Sequence, residues 1–151
     1  MIVLLFVLFQ LTDERDIAIE ELRDLFFKSE ESKHSCEMLT SRTKEINEES
    51  LAIEMGYKGM AHMMMAKYKK SPFKKLKHFK HGKKWIGLGL AKDPNSIEIR
   101  FLRLTVQENL PFFLGYRGEK EEDRSYVTAH LHEVPDGFLK DKMVEYLNKT
   151  E

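Results

Sequence analysis

The chain has 151 residues, 42% apolar and 33% charged, with only four prolines and eight glycines. That is the composition of one ordinary globular domain, which excludes a disordered or collagen-like chain, and the single cysteine, Cys36, excludes an internal disulfide. The net charge is zero but unevenly made: residues 1–57 carry thirteen acids and six bases, residues 58–92 eleven lysines and no acid, and residues 93–151 twelve acids and eight bases.

Residues 2–9, IVLLFVLF, form an unbroken apolar run. It is too short to cross a bilayer as a helix, which needs about 20 residues. It fits the apolar part of a secretory leader, although no Lys or Arg precedes it and no small-x-small site follows. The expectation is an exported protein with a leader at residues 1–11 and one domain at residues 12–151. The alternative is a cytoplasmic protein in which the run is a first buried helical turn or strand.

Thr12 or Asp13 can cap a first helix running to about Ser29, with Ile19, Leu22, Leu25 and Phe26 as its apolar stripe. A polar second helix is expected over residues 32–46, turning Cys36, Leu39 and Ile46 inward. The third, residues 49–68, is apolar on two sides at about 100° per residue, as a helix packed between neighbours is. Its Gly56 and Gly59 each cost about 1 kcal/mol of helix propensity, a cost that close helix contact offsets. Ser71-Pro72 starts a fourth helix to Lys92. Phe73, Leu76, Phe79, Ile86 and Leu90 form its expected stripe, Gly82 and Gly89 lie beside that stripe, and lysines occupy the opposite face.

After Asp93-Pro94, Asn95 or Ser96 caps a fifth helix with apolar residues on two faces and one polar stripe, Arg100, Arg103 and Gln107. The segments on both sides of Pro94 are therefore expected to lie sandwiched between other helices. Residues 109–118 form an apolar connection, and residues 119–134 and 136–148 a final helical pair. The fold class expected is all-α, with about seven helices stacked as antiparallel hairpins.

Ala91-Lys92-Asp93-Pro94-Asn95-Ser96 resembles the turn that closes a tetratricopeptide repeat, and Gly59, Tyr68 and Gly82 suit that pattern. The resemblance covers residues 51–110 and is irregular, without the family's period of about 34 residues. Residues 54–68, 71–79 (SPFKKLKHF) and 97–116 (IEIRFLRLTVQENLPFFLGY) together resemble a group of small bacterial proteins that carry signal peptides and have no assigned activity. The resemblance implies export and a repeat-like helical domain, and it supplies no catalytic residue.

Three sets of residues are candidates for function. Arg100, Arg103 and Gln107, with Tyr57 and Tyr68, can line a groove that receives an extended or acidic protein partner, since a guanidinium donates to both oxygens of a carboxylate at once. Alternatively the arginines pair internally, with Glu54 or Glu108. Lys67, Lys70, Lys74, Lys77, Lys80 and Lys84 form a patch suited to an anionic surface, or a solvated face that pairs with the acidic first hairpin. The patch contains no arginine, which disfavours nucleic acid. Histidine sets at His34 and Cys36, at His62 beside Met63, Met64 and Met65, at His78 and His81, and at His130 and His132 raise a metal reading. It is not adopted, because lysines crowd the His78–His81 pair and most of the methionines read as core. No glycine-rich phosphate loop, HExxH or nucleophile elbow is present. The function expected is therefore a non-catalytic interaction or scaffolding module without cofactor. A peripheral anionic-surface binder is the alternative, and a metal carrier or enzyme the third.

Overall fold

In the computed structural model, the described residues are 2–149, with side chains described for all of these except residues 2–13 and 17. Seven α-helices follow one another: α1 (Ile2–Lys28), α2 (Lys33–Arg42), α3 (Ala52–Lys67), α4 (Pro72–Lys92), α5 (Ile97–Asn109), α6 (Lys120–His130) and α7 (Phe138–Lys149). Short 3-10 turns occupy Phe112–Leu114 and Leu131–Glu133, and no strand occurs among the described residues. The fold is all-α. No helix of the described residues is long and apolar enough to cross a membrane.

Local chemistry places most helix ends. Ser71 Oγ accepts the Lys74 N–H at 3.4 Å, with Pro72 in the first turn. Ser96 Oγ accepts the Ile99 N–H at 3.2 Å, so Ser96 rather than Asn95 caps α5. These caps satisfy amide groups that a helix start leaves without partners. The third helix starts at Ala52 rather than residue 49 and the sixth ends at His130, short of residue 134, and two further boundaries differ from expectation. The helix expected from residue 12 begins instead at Ile2, because nothing in residues 2–13 interrupts it. The side chains of that run lie outside the described ones, so the helix carries no statement about the leader expected at residues 1–11. The second helix stops at Arg42 instead of residue 46: Thr43 turns its hydroxyl onto the Leu39 carbonyl at 2.8 Å, and Lys58 Nζ binds the carbonyls of Lys44 and Ile46 beyond it.

Contacts pair α1 with α2, α3 with α4, and α5 with α6, and the α3–α4 pair is the most extensive. Each pair is antiparallel, with Glu21 beside Arg42, Gly59 beside Gly82, and Asp123 beside Arg100. The α3–α4 crossing depends on its glycines. A β-carbon at Gly59 would lie 2.6 Å from Ile86 Cγ1 and 2.9 Å from the Gly82 carbonyl oxygen. One at Gly89 would lie 2.8 Å from the Ala52 carbonyl oxygen.

Helix α5 runs through the centre. Ile99, Phe101, Leu102 and Leu104 are fully buried, each contributing about 1.5–3 kcal/mol by leaving water. It touches α3, α4 and α6 along its length, α7 through an edge-on contact of Phe101 with Tyr146 at 5.5 Å, and α1 through Glu98 and Arg23. The expectation of a sandwiched segment therefore holds for α5. It does not hold for α4, which buries Phe79, Gly82, Ile86, Gly89 and Leu90 and leaves its lysine flank in water.

Candidate functional site

The polar stripe of α5 does not face a groove. Arg103 grips Asp123 with two hydrogen bonds, Nε to Oδ2 at 2.6 Å and Nη2 to Oδ1 at 2.8 Å. Arg100 donates to Asp123 and Glu122 at 3.0 Å each, donates to the Pro94 carbonyl at 2.9 Å, and lies over the Tyr126 ring at 4.4 Å. Asp123 is fully buried. Gln107, also fully buried, donates to Glu119 at 2.8 Å. The groove expected from Arg100, Arg103 and Gln107 is thus corrected: α6 folds back over the stripe and supplies its carboxylates.

The internal partners also differ from those expected. Glu54 accepts the Leu51 N–H at 2.8 Å at the start of α3, and Glu108 takes Arg124 and the Tyr146 hydroxyl. Tyr57 is likewise no contact residue. It is fully buried and donates to Glu98 at 2.5 Å, while Glu98 takes two hydrogen bonds from Arg23 at 2.8 and 2.7 Å. Burial, and then the Glu98 charge, push the Tyr57 phenol well above its ordinary range. Tyr68 is half-buried and donates to the Ser29 carbonyl at 2.7 Å, closing the end of α1.

The lysine face is different. Lys67, Lys70, Lys74, Lys77, Lys80 and Lys84 are all exposed. Among the described residues, no lysine of residues 58–92 forms an ion pair with a carboxylate. Where these lysines reach the acidic first half they bind its carbonyls: Lys67 that of Glu30, Lys58 those of Lys44 and Ile46, and Lys92 those of Glu48, Glu49 and Ser50. Pairing with the carboxylates of the first hairpin is therefore not how this charge is balanced.

Two apolar residues assigned to the buried stripe of α4 lie in this face instead. Phe73 is 78% exposed and Leu76 39%. The helical turn puts Phe73 on the side of Lys77, Lys80 and Lys84, away from the glycines that meet α3. An exposed aromatic pair, Phe112 and Phe113 at 81% and 84%, lies in the 3-10 turn after α5. Tyr116, just beyond that turn, contacts Phe79 edge-on at 5.9 Å and carries Lys83 over its ring at 5.1 Å.

The α3–α4 hairpin also gathers three histidines that the linear sequence treats as separate sets. His62 Nδ1 lies 3.2 Å from His78 Nδ1, and the His62 ring centroid is 5.4 Å from that of His78 and 5.2 Å from that of His81. They line a pocket of ≈ 320 Å³ with Lys69, Lys74 and Lys77. Burial, then the neighbouring histidines and Lys58, bring the His62 pKa down to about 4, and burial and Lys69 lower that of His78. Among the described residues no three His, Cys, Asp or Glu side chains are placed to hold a metal ion. Met60 and Met65 are buried, and Met63 closes over Gly82.

The remaining candidates are dispersed. His130 stacks on Tyr126 at 4.0 Å, and His132 is exposed. His34 is exposed, while Cys36 is fully buried, and burial pushes its thiol up to about 11, which leaves it protonated and unreactive. No protein-family model, curated protein or solved structure matches the chain.

Proposed function

We propose that the protein is a non-catalytic peripheral module that docks on an anionic bilayer surface through the lysine face of α4. The supporting observation is that this face has no carboxylate partners among the described residues while Phe73 stands exposed among its lysines. A lysine near a negatively charged bilayer contributes about 1 kcal/mol, and an exposed phenylalanine enters the interface as an apolar anchor. Nucleic acid fits less well, because Arg23, Arg100, Arg103 and Arg124, the residues suited to forked phosphate contacts, are held by carboxylates. The protein-partner groove loses its support for the same reason.

Cosedimentation with vesicles tests the reading. Phosphatidylglycerol vesicles should retain the protein and phosphatidylcholine vesicles should not. The triple variant Lys74→Gln, Lys77→Gln, Lys80→Gln should lose about a hundredfold in partitioning, since three lysines are neutralised at about 1 kcal/mol each. Equal binding of wild type and variant, or of both vesicle types, would refute it.

A further inference from the structure

The pocket between α3 and α4 has a chemistry that a simple basic face lacks. It is lined by His62, His78, His81, Lys69, Lys74 and Lys77, and no carboxylate among the described residues joins them. Every charged or titratable group that lines it is cationic or can become so: His62 from α3, Lys69 from the connection, and Lys74, Lys77, His78 and His81 from α4.

The 3.2 Å approach of two Nδ1 atoms needs one ring to donate and the other to accept. A neutral or singly protonated pair meets that need, because the donor ring can take a proton on Nε2, whereas a doubly protonated pair sets N–H against N–H unless the rings turn to a shared acceptor. A doubly charged oxyanion supplies that acceptor and compensates the lysines at once. Its size is limited by a pocket of ≈ 320 Å³, at the lower end of the roughly 300–1,000 Å³ usual for small-molecule sites.

We infer that this pocket receives one phosphomonoester group, held by Lys69, Lys74, Lys77 and the histidine trio. A phosphomonoester carries close to two charges and has its second ionisation near pH 6, so it shares a proton with imidazole where a phosphodiester cannot. Binding draws a proton from solvent onto the trio. Affinity therefore rises as pH falls from about 8 to about 6, whereas a site made of lysines alone weakens over that range as the ligand loses charge. As regards a bilayer source for the group, the inference rests on the surface reading above.

The test uses glycerol 3-phosphate, followed by histidine Cε1–H shifts and by calorimetry at both pH values. Phosphatidic acid and phosphatidylglycerol vesicles of matched charge form a second arm. Wild type should bind the soluble phosphomonoester more tightly at the lower pH. The variants His62→Gln and His81→Gln should each weaken binding about tenfold, the loss of one charge-assisted hydrogen bond, while phosphatidylglycerol binding stays unchanged. His81 is exposed, so its variant does not put the fold at stake.

A preference for phosphatidic acid that disappears in both variants assigns the lipid headgroup as the source. Binding of glycerol 3-phosphate without that preference assigns a free metabolite. Absence of soluble binding, an affinity that does not rise at lower pH, or variants that bind like wild type would overturn the site even if phosphatidylglycerol still binds. Saturable Zn²⁺ binding by the trio with no response to the phosphomonoester would overturn it too. Loss of phosphatidylglycerol binding alone would remove the surface reading and leave the pocket standing.

Discussion

Asp123 has no contact with water, yet it holds two arginines of α5. A buried carboxylate is tolerated only because its oxygens are taken by guanidinium donors, and removing one side of such a set leaves uncompensated buried charge, at about 3–5 kcal/mol. Asp123→Ala should lower stability by that amount in urea denaturation. Glu122→Ala, which removes an exposed partner of the same Arg100, should change it by less than about 0.5 kcal/mol. If both changes cost the same, Asp123 is not the clasp between α5 and α6. The sequence showed that two arginines on a helix apolar on two sides need carboxylates. It did not show which ones, because the partner lies on another helix about twenty residues away and depends on the path of the connection between them.

At the scale of elements, the α3–α4 crossing is governed by backbone contact. Gly59→Ala would drive a β-carbon into Ile86 and the Gly82 carbonyl, and overpacking of this kind costs about 1–3 kcal/mol. Gly87 lies on the same helix pair with nothing within 4 Å of a β-carbon. Gly87→Ala should therefore stabilise by up to about 1 kcal/mol, the helix propensity of alanine over glycine. Thermal unfolding of the two variants checks this, and shifts of equal sign would contradict it. The glycines were legible as marks of close approach, since little else offsets their cost inside a helix. They also contain the pocket's register: three residues on from Gly59 and four back from Gly82 are His62 and His78. Periodicity taken one helix at a time misses that meeting, and it equally assigned Phe73 to a buried stripe that α3 does not reach.

For the molecule as a whole, zero net charge conceals a polarised surface. Four acids of α1 and α2 pair with bases of their own hairpin, Glu20 with Arg23, Asp24 with Lys28, Glu37 with Lys33 and Glu21 with Arg42, and the α4 lysines remain turned to solvent. Salt should separate binding from stability. Raising it from about 0.1 M to about 1 M shortens the screening length from about 10 Å to about 3 Å, so phosphatidylglycerol binding should fall at least about tenfold. The unfolding midpoint should move little, because buried pairs such as Arg103–Asp123 are screened far less than exposed charge. Binding and melting that fall together would instead mean that salt acts on the fold.

What the sequence determined by itself was local: helical character, the breaks at Ser71-Pro72 and Asp93-Pro94, a polar cap at Asn95 or Ser96, the glycines of the crossing and the division of charge. Each depends on a few neighbouring residues and on backbone hydrogen bonds. Only the tertiary structure decided that α6 neutralises the arginine stripe, that the lysine face keeps its charge, and that His62, His78 and His81 surround one pocket. Electrostatic partners are set by distance in space, and a helix pattern fixes the direction of a side chain without fixing what another part of the chain brings to meet it.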